Sequence, residues 1–159
     1  MNTPLSEHLV TAVFDSPIGP LLAGASADGL CLLEFAESAR PAAPASHPIL
    51  DQLREELSEY FVGERRDFTV PLVLGGTPFQ RRVWEQLRRI PYGETCSYED
   101  VARAVGDAKA VRAVGSANGK NRIAVVIPCH RVINKGGGLG GYGGGLWRKE
   151  FLLALEQRG

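Results

Sequence analysis

The sequence predicts a mixed α/β (α+β) fold in two parts, a small sheet-plus-helix domain over residues 1–75 and a mostly helical domain over 76–159. Three observations carry this reading. Short apolar, partly β-branched runs separated by turn signals fill the first third of the chain. Gly75-Gly76 interrupts the chain near its middle. Beyond that break, two short helices meet across a tight, glycine-containing turn, the outline of a helix-turn-helix.

The elements follow in order. Leu9 to Phe14, Leu21 to Ala25 and Leu30 to Phe35 read as strands, with Ser16-Pro17-Ile18-Gly19 and Asp28-Gly29 as the turns between them. Ala36 to Pro48 carries three prolines and reads as a loop. Ser46 is placed to cap a helix from Ile49 to Val62, whose Ile49, Leu50, Leu53, Leu57, Tyr60 and Phe61 share one face and which Gly63 ends. Phe68 to Leu74 reads as a further strand. Thr77-Pro78 starts the next helix, with Phe79, Val83, Leu87 and Ile90 inward and a stop at Pro91. Ser97 with Asp100 resembles a capping box opening a short helix that ends at Gly106, and Asp107 is placed to cap the next. Ile123 to Ile127 reads as a buried strand-like segment, and Leu146 to Gln157 as a closing helix.

Composition bounds the function. No apolar run approaches the length of a membrane span, and Met1 to Val10 lacks the pattern of a signal peptide, so a cytoplasmic protein is expected. Three separated cysteines, Cys31, Cys96 and Cys129, argue against a disulfide framework and against a cysteine-based zinc site. Net charge is zero, yet residues 1–76 hold 4 Lys/Arg against 11 Asp/Glu, while 77–159 hold 14 against 7. A basic half suits a nucleic-acid backbone, and two solvated faces of opposite sign account for it equally well.

Two segments carry candidate chemistry. Pro128-Cys129-His130-Arg131 sets a thiol after an apolar run and before two basic residues, an environment that favours the thiolate. A buried structural cysteine beside a satisfied histidine is the alternative. Gly136 to Gly145 then contains eight glycines in ten positions. Such a run serves unusual dihedrals or a ligand's close approach, unless it is only a surface loop. Tyr142 in its middle favours packing against a flat ligand, and no phosphate-loop ending is present.

Ile127-Pro128-Cys129-His130-Arg131-Val132-Ile133 resembles the signature of the O6-alkylguanine-DNA alkyltransferases. Phe79-Gln80 through Val83-Trp84, Ile90-Pro91-Tyr92-Gly93-Glu94-Thr95, Ser97-Tyr98, Arg112-Ala113-Val114-Gly115, Asn118-Gly119 and Gly141 to Gly145 follow in the family's order and spacing. The match is close over the second half and loose over the first, through Asp15 to Gly19.

The resemblance implies a ribonuclease H-like N-terminal domain and a winged helix-turn-helix that binds double-stranded DNA and flips an O6-alkylguanine through the minor groove. Cys129 would accept the alkyl group irreversibly, once per molecule, with O4 of thymine as a further donor. His130 would take the thiol proton through a water, Glu156 would orient the imidazole, Asn121 would hold the cysteine segment, and Tyr98 would donate to the guanine ring. Arg112 would fill the gap left in the stack, with Ala113, Ser97, Asn118, Gly119 and Lys120 along the DNA. Val132, Tyr142, Gly143 and Gly144 would line the pocket. No cofactor and no metal is implied, since His8, Cys31 and His47 do not form a convincing zinc set, and a monomer is the default. Gly143 and Arg122 depart from residues common in relatives, serine and proline respectively. Cys129, His130 and Glu156 together favour repair over a module that only recognises alkylguanine. The basic half and the lack of an oxyanion motif disfavour a cysteine hydrolase.

Other residues receive packing or solvent roles. Cys31, Trp84 and Trp147 read as core, and Arg81, Arg82, Arg88 and Arg89 as a solvated helix face. Cys96 has no evident partner, and Lys149 has a place near the pocket without an assigned role.

Overall fold

A computed structural model describes residues 9–36 and 46–158. His8 and most of the expected 36–48 loop lie outside the described residues. The chain divides between Gly75 and Gly76 into two compact units.

In the first unit, β1 (Val10–Phe14), β2 (Leu21–Ser26) and β3 (Gly29–Phe35) form an antiparallel meander. Ser26 pairs with Gly29, so Ala27 and Asp28 make the turn and Gly29 opens the strand. Only glycine fits there, because a Cβ would stand 2.7 Å from the Pro71 carbonyl oxygen. The strand expected at Phe68 to Leu74 does not form. Its pairing shrinks to one parallel bridge, Leu30 with Leu72, since Pro71 has no amide to donate to a ladder. Helix α1 (Pro48–Phe61) lays Leu50, Leu53, Leu57 and Tyr60 against the sheet. His47, not Ser46, caps it: Pro48 takes the first helical position, and His47 Nδ1 accepts from the Ile49 amide at 3.2 Å. The helix closes ahead of Gly63, whose amide returns to the Tyr60 carbonyl.

The second unit contains α2 (Pro78–Leu87), β4 (Cys96–Ser97), α3 (Tyr98–Ala104), α4 (Val111–Gly119), β5 (Val132–Ile133) and α5 (Leu146–Arg158). Reciprocal capping boxes fix the starts of α2, through Thr77 and Gln80, and of α3, through Ser97 and Asp100. Helix α2 packs on α3 and α4, and the Trp84 indole donates to the Ala117 carbonyl at 2.8 Å. Helices α3 and α4 form the helix-turn-helix, although Asp107 does not cap α4. Its carboxylate accepts from the Lys109 amide within the turn, and Ala110 takes the cap position.

Two further differences bear on the site. Ile123 to Ile127 is mostly buried, as its composition requires, but it coils through successive turns instead of extending. The Ile127 amide bonds the Ile123 carbonyl at 3.0 Å, and Val125 adopts φ 70°, rare for a β-branched residue. Trp147, expected in the core, stands half exposed at the first turn of α5, where its indole stacks with the Arg148 guanidinium.

Candidate active site

The coiled segment delivers the chain to a 3-10 turn over Cys129–Arg131, in which all three side chains are buried. Asn121 determines the approach. Its side-chain oxygen accepts from the Ile123 amide at 3.0 Å, while its nitrogen donates to the Ile127 carbonyl at 2.9 Å. One amide thus folds the segment back on itself, which is why no strand is needed to satisfy its backbone.

Beyond Cys129, three buried side chains meet. His130 Nε2 lies 2.8 Å from Glu156 Oε2 on α5. Arg131 grips the same carboxylate with two donors, at 2.8 and 3.0 Å, and donates a third bond to the Ile90 carbonyl at 2.7 Å. Burial alone would raise the Glu156 carboxyl, but the bonds from His130 and Arg131 outweigh it and hold it at about 2. Glu156 is therefore ionised at neutral pH. Burial pushes His130 below its ordinary value despite the carboxylate, so its imidazole is neutral. A neutral imidazole beside a carboxylate places its proton on Nε2, and Nδ1 is left as an acceptor. Nδ1 is buried and has no hydrogen-bond partner among the described residues.

The Cys129 thiol is raised above its ordinary value by burial, against opposing contributions from Asn121, the Lys149 charge and Tyr142. It is a protonated thiol at rest and requires a base to act as a nucleophile. Burial raises the Tyr142 hydroxyl well above its ordinary value and the nearby Cys129 adds to the rise, so this phenol of the glycine segment stays protonated. Burial and the nearby cysteine both raise the Tyr98 hydroxyl, so it stays a proton donor.

Geometry explains two of the sequence motifs. Ile90 to Gly93 holds the buried ion pair: Ile90 supplies a carbonyl to Arg131, and the Gly93 amide reaches Glu156 at 3.4 Å. Within the glycine run, Gly140 adopts φ +72°, and a Cβ on it would sit 3.1 Å from the Tyr98 hydroxyl. At Gly143, by contrast, a Cβ would enter open space.

The expected DNA-facing residues separate into two groups. Arg112, Ala113, Gly119 and Lys120 are exposed on or just after α4, and Ser97, partly buried, caps α3 with its side chain. Asn118 differs. It is buried in the last turn of α4, and its amide nitrogen points to the Cys129 carbonyl at 3.5 Å, so its side chain does not lie on the exposed surface. In the expected pocket, Val132 is fully buried and its carbonyl already accepts from Lys149, while Gly144 gives its carbonyl to Arg148. Gly143 is exposed and Tyr142 half-buried.

From sequence, Arg131 counts only as one of two basic residues beside the thiol, and Lys149 has a place near the pocket without an assigned role. Both are cations that the fold buries, and a sequence pattern does not distinguish a buried cation from a solvated one. The apolar surroundings of Arg131, after Ile127 and before Val132-Ile133, were the available signal. Among the described residues no group of His, Cys, Asp and Glu could hold a metal ion, and no helix is long and apolar enough to cross a membrane.

A helix-turn-helix and a buried cysteine–histidine–carboxylate arrangement in one unit define a DNA-acting protein with cysteine chemistry. Comparison with known proteins gives the particular family. The family model described as 6-O-methylguanine DNA methyltransferase, DNA binding domain, matches residues 78–158, and its ribonuclease-like domain matches 9–74. The methylated-DNA–protein-cysteine methyltransferase of Methanosarcina acetivorans is 45% identical over 150 residues, covering 91% of this chain and 96% of the relative. The crystal structure of the Mycobacterium tuberculosis O6-methylguanine methyltransferase superposes with a TM-score of 0.85 at 44% identity, over 94% of this chain and 93% of that one. A Mycobacterium tuberculosis relative crystallised in complex with DNA gives 0.84 at 46% identity, over 92% and 91%. The chain belongs to the 6-O-methylguanine DNA methyltransferase family, the methylated-DNA–protein-cysteine methyltransferases of direct-reversal DNA repair.

Proposed function

We propose that Cys129 takes the alkyl group from O6 of guanine in double-stranded DNA, that it does so once, and that His130 Nδ1 is the base. The observation that carries this reading is the His130–Glu156 contact at 2.8 Å, which commits Nε2 and leaves Nδ1 as the acceptor. A water between Nδ1 and the thiol carries the proton away. The thiolate sulfur attacks the alkyl carbon, the S–C bond forms and the C–O6 bond breaks. Tyr98 gives a proton to the purine as the bond breaks, so guanine leaves neutral, and the proton lost by the thiol restores the balance. Glu156 stabilises the imidazolium formed in between.

The product is a thioether, a very poor leaving group, and no second nucleophile is needed for release of guanine. The target must leave the duplex to reach a buried sulfur. We assign Arg112, exposed near the start of α4, to the gap left in the stack, and Ala113, Ser97, Gly119 and Lys120 to the surrounding DNA. Tyr142, Gly143 and Gly144 line the base pocket, and the protein acts as a monomer without a cofactor. The test is to incubate the protein with a duplex containing O6-methylguanine and weigh it. The reading requires the mass of one methyl group on the parent and none on Cys129→Ala. Tight binding without an adduct on the parent overturns it.

A further inference from the structure

Trp147 is a large apolar side chain that stands half exposed, and Arg148 beside it is a cation that is buried. The two explain each other. The Arg148 guanidinium carbon lies 4.7 Å from the centroid of the Trp147 ring, within reach of a cation–π contact, so the indole screens one face of the guanidinium from solvent. From this covered position Arg148 Nη1 donates to the Gly144 carbonyl at 2.8 Å. Gly144 sits in a four-residue turn, Tyr142 to Gly145, that the Gly145 amide closes on the Tyr142 carbonyl at 2.9 Å. Gly145 takes φ +95°, and a Cβ on it would stand 3.4 Å from the Trp147 ring. Three of the four residues are glycine, so the backbone of this turn is freer than any other and is held best from outside. A planar guanidinium suits both tasks, with its flat face on the indole and an N–H edge toward the carbonyl.

We propose that Arg148, backed by Trp147, is a positioning residue: it clamps the turn from Tyr142 to Gly145 as a fixed rim of the base pocket and so limits the size of alkyl group accepted. The proposal rests on the reading that Tyr142, Gly143 and Gly144 line that pocket. Gly143 is exposed, with open space where a Cβ would stand, and the clamp acts on the residue directly after it. A methyl group adds little to the bulk of the base and fits behind a fixed rim. A benzyl group needs the rim to yield. Releasing the clamp therefore takes a preorganised pocket away from the small donor and relieves crowding for the large one.

The test offers free O6-methylguanine and free O6-benzylguanine to the full chain and follows alkylation of Cys129 by mass. Hydrogen exchange at the Gly145 amide, which closes the turn, is measured alongside. Arg148→Met keeps an apolar stem and removes the donor. Trp147→Ala changes an exposed position and serves where Arg148→Met does not fold. In either variant the benzyl-to-methyl rate ratio should rise by about fivefold and the Gly145 amide should exchange about tenfold faster, the order expected on losing a hydrogen bond from a charged group. A folded variant with the parent's rate ratio overturns the proposal, even where both rates fall together, because lost stability alone slows both donors alike. Parent-like exchange at Gly145 overturns it as well. If the parent accepts neither donor, the reading of Cys129 fails, and exchange at Gly145 still decides whether Arg148 holds the turn.

Discussion

His130 and Glu156 touch at 2.8 Å inside a region closed to solvent, and Arg131 holds the same carboxylate from α5 through two further bonds. The carboxylate therefore serves the Arg131 cation and the neutral His130 imidazole at once. Glu156→Gln should break this arrangement and leave Arg131 buried without a counter-charge. Losing one partner of a buried pair costs about 3–5 kcal/mol. Chemical denaturation should report a loss of that order, together with slower alkylation of Cys129. A variant as stable as the parent would show that the ion pair adds nothing.

Stability should depend on acid in two stages. The native imidazole of His130 is held below its ordinary value of 6.5, so the unfolded chain binds the proton more readily. Stability from this group is full above about pH 6.5 and falls as pH drops below it. Glu156 is depressed from 4.5 to about 2. Its contribution is full above pH 4.5 and disappears as pH falls toward 2. Denaturation midpoints measured from pH 8 to 3 should decline in that order, and His130→Gln should remove the upper stage.

Asn121→Ala should loosen the approach to the nucleophile. It removes two bonds within the 121–127 segment and leaves the buried Ile123 amide without its acceptor. An unmet buried group costs about 1–3 kcal/mol. Thermal unfolding should register that loss, and reaction with free O6-alkylguanine base should slow. Asn121→Asp, which keeps the acceptor but not the donor, should fall between the two.

The glycine run should divide by position. Gly140→Ala meets both a left-handed backbone and the Tyr98 hydroxyl, so it should lower both stability and free-base reactivity. Gly143→Ser enters open space and should fold like the parent. Equal behaviour of the two variants in a thermal shift and free-base assay would contradict the geometry.

Sequence pattern identified the strands, the α2 and α3 caps and the cysteine because each has a local cause. Thr77 before Pro78 and Ser97 with Asp100 are short-range patterns that appear in the structure as read, and Gln80 completes the Thr77 cap into a box. The failures came where distant residues decide. Pro71 limits Phe68 to Leu74 to one bridge only because β3 runs beside it. Ile123 to Ile127 is β-branched enough for a strand, but the Asn121 side chain satisfies it as a coil. Asn118 looked available to DNA, and the packing of α4 turns it toward Cys129. Lys149 has a place near the pocket in the sequence but no role there until three carbonyls from outside its helix converge on it.

Arg112 bears on how DNA is engaged. It is exposed near the start of α4, and its proposed role exists only in a duplex. Arg112→Ala should therefore slow reaction with alkylated duplex far more than with free alkylguanine base. Equal losses in single-turnover assays on both substrates would remove that role.

The most direct test of the account is a titration with duplex DNA carrying radiolabelled O6-methylguanine, in which label on protein is counted and its peptide mapped. The account predicts that transfer saturates at about one methyl per chain, all of it on the peptide containing Cys129, with guanine restored in the DNA. Repair that continues past one equivalent, or label on any other residue, would contradict it.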